Sequence, residues 1–259
     1  MASSKEGELV IDPMKQFEIS SLFGSGDGGL YFFSATNSTL WMAIVFLVSV
    51  ALFSFGARGR SLVPTRLQSV SEVVYEFVQK MVRDTAGEEG MKYFPYIFTI
   101  FVFIFFANML GLIPGSFTVT SHFVVTGALA LTVFVTVTAI GFIKHGTHFL
   151  TFFVPQDAPT VMKPLLALIE VISYFVRPLS HSVRLAANMI AGHAILKVFA
   201  GFATALAIYG ASVATIPVAF ISVLVMIFMF ALEVLVAAVQ AYIFAMLTSI
   251  YLNDALHMH

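Results

Sequence analysis

Apolar segments long enough to cross a membrane constrain the fold of this chain more than any other feature. A transmembrane helix needs about 20 mainly apolar residues to span a hydrocarbon core of roughly 30 Å. The fourth of the five such regions would extend about 70 Å as one helix, so it must be strongly tilted, bent, or both. Bends in it are expected at Pro164, Pro178 and Gly192. The five regions are residues 40–57, 94–113, 117–143, 161–208 and 213–252.

The composition excludes an ordinary soluble domain. Hydrophobic residues make up 59% of the 259 residues and charged residues only 10%, whereas soluble domains carry roughly 25% charged residues. The net charge of −1 gives no general basic surface for nucleic acid. The absence of cysteine excludes disulfides, thiol catalysis and cysteine metal sites. We therefore predict an all-α polytopic membrane protein with a single membrane domain over residues 1–259.

The polar segment between the first two apolar regions has the pattern of a one-sided helix. Within residues 66–84, apolar side chains recur at the i, i+3, i+4, i+7 spacing of an amphipathic helix, at Val70, Val73, Val74, Phe77, Val78 and Met81. Charged and amide side chains occupy the opposite side. This pattern predicts an interfacial helix that lies on the membrane surface. A short soluble linker helix is the alternative.

Charges in the loops predict the orientation of the chain. Positive residues concentrate around the interfacial helix, at Arg58, Arg60, Arg66, Lys80, Arg83 and Lys92. Since positive residues favour the inner side of a membrane, this loop is predicted to face the cytoplasm, or the matrix in an organelle. The acidic segment 1–38 then lies outside, whereas Lys144, Lys163 and the C-terminus lie inside. Residues 1–38 lack the pattern of a cleaved signal peptide, so we expect the first span to direct insertion.

Ionisable residues within membrane spans are candidates for function by default, and the fourth region contains several. Glu170, Arg177 and Arg184 recur every seven residues, which places them along one stripe of a helix. Asn188 lies one turn beyond Arg184 on nearly the same face, whereas His193 lies on the opposite side. The arginine face also carries small residues that allow another helix to approach closely, namely Ala187 and Ala191.

The fifth region adds acidic and amide residues that fall into register with the fourth. We consider an antiparallel hairpin that turns within residues 209–217. Three polar pairs then lie level across it: His193 with Glu233, Arg184 with Gln240, and Glu170 with Asp254. This agreement from one assumed turn favours the hairpin.

Each of these polar residues also has a purely structural interpretation. His193 and Glu233 form either a structural pair or a proton relay, because both side chains titrate. Arg184 is held either by an ion pair within the hairpin or, as its small and smooth face favours, by a partner on another molecule. For His181 the structural interpretation is a hydrogen bond within the bundle. For Glu170 it is a side chain that reaches the membrane interface.

A resemblance to a known family becomes specific in residues 178–193, PLSHSVRLAANMIAGH. The chain resembles subunit a of F-type ATP synthases, and the spacing Arg-Leu-x-x-Asn-x-x-x-Gly-His is the most specific part of the resemblance. The N-terminal segment is similar to alphaproteobacterial and mitochondrial members. Further matching segments are DPMKQFEI, NMLGLIPG, LIEVISYFVRP and FALEVLVAAVQAYIFAMLTSIYLNDALH.

The resemblance implies a role for each polar residue of the hairpin. Arg184 corresponds to the family's stator arginine, which faces the carboxylate on each subunit of a rotating c-ring. His193 and Glu233 match the pair that lines the half-channel from the outer side, and Glu170 matches an acidic position of the inner half-channel. The remaining candidates for the proton pathway are Asn188, Gln240, Asp254, Tyr242 and Ser173.

The function implied by the resemblance is proton translocation through two offset half-channels at the c-ring, coupled to ATP synthesis. The last two helices would be long, tilted and packed as an antiparallel hairpin against that ring. The chain by itself would be no enzyme, since it has no Gly-x-x-x-x-Gly-Lys run for a nucleotide. No cofactor or metal is implied.

The implied partners are the c-ring, the peripheral-stalk b subunits, the rest of the synthase and membrane lipids. The implied location is a bacterial inner membrane, with a mitochondrial inner membrane as the alternative. Two competing classes remain at this point. One is a secondary transporter with a substrate site around Arg184 and Glu233, and the other is a structural anchor, which would leave the buried charges unexplained.

Overall fold

The computed structural model describes residues 4–5, 8–9, 15–20, 36–58, 65–113, 115–153, 162–209 and 215–257. The α-helices in these residues are α1 (Asn37–Arg58), α2 (Arg66–Gly90), α3 (Phe94–Gly111), α4 (Phe123–His145), α5 (Lys163–Tyr209) and α6 (Thr215–Leu256). Short 3-10 segments cover Lys15–Phe17, Met91–Tyr93, Val119–Ser121 and Gly146–Phe153. Near the N-terminus, two-residue strands pair antiparallel, β1 (Ser4–Lys5) with β2 (Glu8–Leu9).

The helix lengths confirm the predicted fold class. Among the described residues, 5 helical segments are long and apolar enough to cross a membrane. They are Asn37–Gly56, Arg66–Gly111, Phe123–Leu150, Lys163–Ala205 and Pro217–Leu256. The 47 residues of α5 and the 42 of α6 pack against each other. At about 1.5 Å per residue they extend about 70 and 63 Å, so both must tilt or bend within a bilayer.

The third span begins later than its hydropathy predicts. The sequence places the start at residue 117, whereas α4 begins at Phe123. The hydroxyl of Thr118 donates to the carbonyl of Gly111 (3.2 Å), and the hydroxyl of Ser121 donates to the carbonyl of Thr118 (2.6 Å). Because such local bonds compete with a helix, this segment forms a buried turn before α4.

The amphipathic helix α2 extends beyond its predicted end at residue 84, and its apolar side meets two environments. Val78 is fully buried in the hydrophobic core between the helices, whereas Val73 and Phe77 are 65% and 49% exposed. Gly87 interrupts the helix with φ of 67° and ψ of −171°, a conformation nearly restricted to glycine. This interruption kinks the chain before it enters α3.

Small residues on α6 let the helices approach one another closely. Ala237, Ala241 and Ala245 recur every four residues and are fully buried. α6 packs against α2, α3, α4 and α5, and is therefore the central helix of the bundle. Small residues serve this purpose in lipid, where the acyl tails are as apolar as the side chains and close packing drives association.

Polar contacts join the C-terminal ends of α2, α4 and α6 on one side of the bundle. Lys144, near the end of α4, forms an ion pair with Glu89, near the end of α2. Nε2 of His145 lies 3.3 Å from the carbonyl oxygen of Leu256, the last residue of α6. Lys144 and the C-terminal end of α6 therefore share a side, in agreement with the loop charges.

Candidate functional site

His193 of α5 and Glu233 of α6 meet across the hairpin. Nδ1 of His193 lies 2.6 Å from Oε1 of Glu233, and the two side chains are only 11% and 4% exposed. The predicted hairpin register is confirmed at this pair. An imidazole and a carboxyl group at this distance can exchange a proton directly.

The other edge of the His193 ring faces the turn that precedes α4. Nε2 lies 2.9 Å from the carbonyl oxygen of Gly111 and 2.9 Å from the hydroxyl of Thr118. Sequence reasoning missed both partners, because it placed Gly111 inside the second span and Thr118 inside the third, where neither is expected to reach His193. The run of hydroxyl side chains in TVTS, residues 118–121, is the signal that could have found Thr118.

Gly192 provides the space that the carboxyl group of Glu233 occupies. A Cβ atom on Gly192 would lie 2.5 Å from Oε1 and 2.8 Å from Cδ of Glu233, closer than real side chains approach. Both carboxyl oxygens of Glu233 are buried, and neither has a partner with hydrogen-bond geometry among the described residues, although Oε1 lies 2.6 Å from Nδ1 of His193. Because such buried polar atoms are rare and call for an explanation, this carboxyl group is a candidate for proton transfer.

A cleft of about 540 Å³ opens beside His193. Its walls combine the N-terminal 3-10 segment, the end of α3, and the facing parts of α5 and α6. Phe17 stands near the imidazole, with ring centroids 6.3 Å apart. The cleft has the size and position to bring water to the His193–Glu233 pair. Its lining includes Gln16, Gly111, Gly115, His193, Lys197 and Phe230.

A buried amide anchors the turn that carries Thr118. Asn108 is fully buried. Its Nδ2 donates to the carbonyl of Ala237 (3.2 Å), and its Oδ1 accepts from the hydroxyl of Thr120 (2.8 Å). A buried polar group whose donors and acceptors find partners helps to fix a single arrangement. Asn108 therefore ties α3 and α6 to the turn that contacts His193.

Arg184 lies on a different, open face of α5. Arg184, Ala187 and Ala191 are exposed, and Asn188 is partly buried. Within the part of the chain that the structure describes, Arg184 forms no hydrogen bond and no ion pair. An ion pair within the hairpin, the structural alternative for this cation, is therefore not formed there. This exposed face combines small side chains with one cation, and such a surface suits contact with an acidic partner.

The hairpin holds a second charged pair further from its turn. Nη1 of Arg177 lies 3.0 Å from Oδ2 of Asp254, and its guanidinium carbon lies 5.6 and 5.1 Å from the ring centroids of Tyr174 and Tyr251. The simple register paired Asp254 with Glu170, so the observed pairing departs from that prediction. Side chains lean toward the N-terminus of their own helix. Because α5 and α6 are antiparallel, the side chain of Arg177 leans away from the turn of the hairpin and that of Asp254 leans toward it. The two side chains therefore meet, although their backbone positions are not level.

The remaining predicted residues have varied surroundings. Glu170 is partly buried and Ser173 is exposed, whereas Gln240 is buried at 8% exposure. Tyr242 packs against Phe77 of α2, with ring centroids 5.6 Å apart. This contact gives Tyr242 a packing role at the α2–α6 junction.

His181 belongs to the buried core of the hairpin. Its ring stacks on Phe244, with centroids 4.0 Å apart, and Tyr251 approaches its edge. Its Nε2 is buried and finds no hydrogen-bond partner in the described ranges. The expected interaction within the bundle is therefore not made by Nε2; the ring interacts with the backbone of Phe244 and stacks on its side chain.

Comparison with known proteins adds a family context to this geometry. A family model described as ATP synthase A chain matches residues 39–253. The chain is similar to ATP synthase subunit a of Dinoroseobacter shibae, with 54% identity over 270 aligned residues that cover 100% of both proteins. It is also similar to the subunits a of Rhodobacter capsulatus, at 56% identity over 87% of this chain and 94% of that one, and of Paracoccus denitrificans, at 52% identity over 99% of both.

Proposed function

Because the chain belongs to the ATP synthase A chain family, we propose that it is the proton-conducting stator subunit of an F-type ATP synthase. In this role it conducts protons through two offset half-channels at the surface of a rotating c-ring, and it does not itself catalyse ATP formation. One observation carries the proposal: α5 presents two separate polar sites. Arg184 lies on an open face without an intrachain partner among the described residues, and the buried His193–Glu233 pair lies beside a cleft.

Arg184 acts on the carboxyl groups of the c-ring. Its guanidinium keeps its charge at any accessible pH, and the exposed Ala187 and Ala191 allow a c-ring helix to approach. A carboxyl group that arrives beside this cation is favoured in its ionised form, so it releases its proton there. In return, the carboxylates offset the cost of a cation in lipid, which ranges from roughly 3 to well over 10 kcal/mol.

The His193–Glu233 pair serves the outer half-channel. Water in the cleft brings a proton to the pair, and the 2.6 Å contact lets the proton pass between the two side chains. The proton then neutralises a c-ring carboxylate, which travels through lipid as an uncharged acid. The burial of the pair and the adjoining cleft support a relay over a purely structural contact.

The inner half-channel receives the proton released near Arg184. Glu170, which lies two seven-residue steps before Arg184 on α5, is the proposed acceptor on this side. Asp254 contributes to the inner half-channel through its ion pair with Arg177. Further polar residues are proposed to lie near Arg184 or along the proton pathway. They are Asn188, Gln240, Tyr242 and Ser173.

Arg184 also separates the two half-channels. A guanidinium can neither accept a proton nor readily release one, so a proton cannot hop directly from His193 and Glu233 to Glu170. It must travel on the rotating c-ring instead. Each proton that crosses the full membrane potential releases about 2.3 kcal/mol per 100 mV, and rotation conveys this energy to a separate catalytic head.

The five apolar helices and the bacterial relatives support a location in the inner membrane. The proposed orientation has the N-terminus outside and the C-terminus inside. The proposed partners are the c-ring, the peripheral-stalk b subunits, the remaining synthase subunits and membrane lipids.

Gentle detergent extraction of the tagged chain tests the proposed assembly. Co-purification of a c-ring and an ATP-hydrolysing head is expected. A lone oligomer that transports a substrate would instead support a secondary transporter. In membrane vesicles, Arg184→Ala should abolish proton-driven ATP synthesis, whereas Arg66→Ala, which removes an exposed cation on α2, should not. Normal synthesis by Arg184→Ala would refute the stator role.

A further inference from the structure

The two nitrogen atoms of His193 face different kinds of partner. Nε2 faces the carbonyl oxygen of Gly111 and the hydroxyl of Thr118, each at 2.9 Å. Nδ1 faces Oε1 of Glu233 at 2.6 Å and the carbonyl of Met189 at 3.1 Å. Only the Glu233 carboxyl group among these partners readily takes up and releases a proton.

The surroundings of Nε2 favour a proton on that atom. A carbonyl oxygen can only accept a hydrogen bond, so Nε2 must donate to Gly111. The hydroxyl of Thr118 lies 3.2 Å from the same carbonyl and donates to it, which turns an oxygen lone pair toward Nε2. Among the described residues, Nε2 therefore meets two acceptors, each at 2.9 Å, and no donor. Nδ1 also faces a carbonyl oxygen, that of Met189, but at 3.1 Å, and its other partner is a carboxyl group that can itself supply a hydrogen.

This arrangement leaves Nδ1 as the atom that changes its protonation. When Nε2 keeps its hydrogen, the imidazolium also carries a hydrogen on Nδ1 and can give it to the ionised carboxylate of Glu233. The products are a neutral imidazole with a lone pair on Nδ1 and a neutral carboxylic acid. The reverse step restores both charges, so the exchange is balanced within the pair.

We propose that Thr118 is a positioning residue which, together with the Gly111 carbonyl, keeps the hydrogen on Nε2 of His193 and reserves Nδ1 for proton exchange with Glu233. This inference rests on the proposed role of the pair in the outer half-channel. It adds that protons are gained and lost at one edge of the imidazole, and that the ring does not pass them from one nitrogen to the other.

The turn around Thr118 is built to hold this hydroxyl still. Thr118 is only 3% exposed, and its carbonyl accepts a hydrogen bond from Ser121 at 2.6 Å. A Cβ atom on Gly111 would lie 2.9 Å from the Thr118 methyl group, so the glycine permits this close packing. The neighbouring Thr120 is fixed by the fully buried Asn108.

Three threonine variants of the assembled synthase test the inference in membrane vesicles energised by outer acid. Thr118→Val keeps the size of the side chain but removes the hydroxyl, and should lower the rate of proton-driven ATP synthesis about fivefold. Thr118→Ser keeps the hydroxyl and should restore most of the rate. Thr248→Val is the matched control, because Thr248 is similarly buried and, among the residues that the structure describes, its hydroxyl bonds only to the carbonyl of Phe244 on its own helix.

The outcomes separate the inference from the proposed function. A Thr118→Val complex that assembles normally and keeps the wild-type rate would overturn the inference, as would a Thr118→Ser complex as slow as Thr118→Val. His193→Ala serves as the reference for the pathway. If His193→Ala itself keeps the full rate, the proposed outer half-channel fails, whatever the threonine variants do.

Nitrogen NMR on the wild-type synthase shows which nitrogen of His193 carries the hydrogen, and it tests the inference even if Thr118→Val does not assemble. The complex is labelled with ¹⁵N-histidine and reconstituted in lipid, and the His193 signals are those that disappear in His193→Gln. At alkaline pH, where the imidazole is neutral, the hydrogen should be on Nε2. A neutral His193 with its hydrogen on Nδ1 would overturn the inference.

Discussion

Gly192 and Glu233 face each other across the α5–α6 hairpin without room for a methyl group between them. The backbone of α5 is therefore one wall of the site that holds the carboxyl group, and the adjacent His193 supplies another. The position of the carboxyl group thus depends on a residue that has no side chain.

Gly192→Ala should displace this carboxyl group. The added Cβ would lie 2.5 Å from Oε1, and overpacking of this kind typically costs about 1–3 kcal/mol. We expect proton-driven ATP synthesis to fall at least about tenfold while the complex still assembles. Gly127→Ala is the control, since within the described part of the chain its Cβ would meet only Ser182 Oγ, at an ordinary 3.6 Å. Equal rates in the two variants would contradict the packing described at Glu233.

Arg184→Lys should fail as a replacement although it keeps a basic side chain. A lysine in lipid can lose its proton and lacks the fork geometry of a guanidinium, so it can relay a proton between the half-channels. We expect loss of coupled synthesis together with an increased passive proton leak, measured by the decay of a pH gradient across vesicles. Arg66→Lys should behave as wild type. Full coupling in Arg184→Lys would show that permanent charge is not required.

His193→Ala and Glu233→Gln should each slow proton uptake from the outer side without abolishing it. Either change removes one of the two titrating groups that meet at 2.6 Å, but water from the adjoining cleft can partly replace it. The measurement is the initial rate of proton-driven synthesis at a fixed outer pH. Unchanged rates in both single variants would favour the structural interpretation of the pair.

Arg177 and Asp254 should be coupled in stability. Their side chains meet at 3.0 Å and are 24% and 35% exposed, so removal of one partner leaves a partly buried charge without its counterion. In a double-mutant cycle of Arg177→Met and Asp254→Asn, we expect a coupling of about 1 kcal/mol, measured from the thermal stability of the purified complex. Strictly additive effects of the two changes would mean that the ion pair contributes nothing to the hairpin.

The parts of this protein that follow from the sequence are those with a strong local or repeating signal. Hydropathy locates the membrane helices, because lipid demands about 20 apolar residues for each crossing. A single assumed turn brings His193 level with Glu233. The same register misplaces Asp254, because the lean of each side chain along its own helix brings Asp254 to Arg177.

Contacts made through irregular backbone could not be predicted in this way. Thr118 lies in a segment apolar enough to be taken for the start of a membrane helix, yet its hydroxyl and that of Ser121 bond to the backbone and form a turn. Its contact with His193 joins residues 75 positions apart. Neither hydropathy nor helical periodicity carries information about a contact of that kind.

The N-terminal segment shares a wall of the cleft with His193, and this has a topological consequence. Gln16 lines the cleft and Phe17 stands beside the imidazole, while Asn37 at the start of α1 bonds to Glu18 and Ser20. The mouth of the cleft and the start of the first span are thus fixed to the same face of the bilayer. A membrane-impermeant label placed at residue 20 would therefore report, in one measurement, which compartment supplies the water that reaches His193.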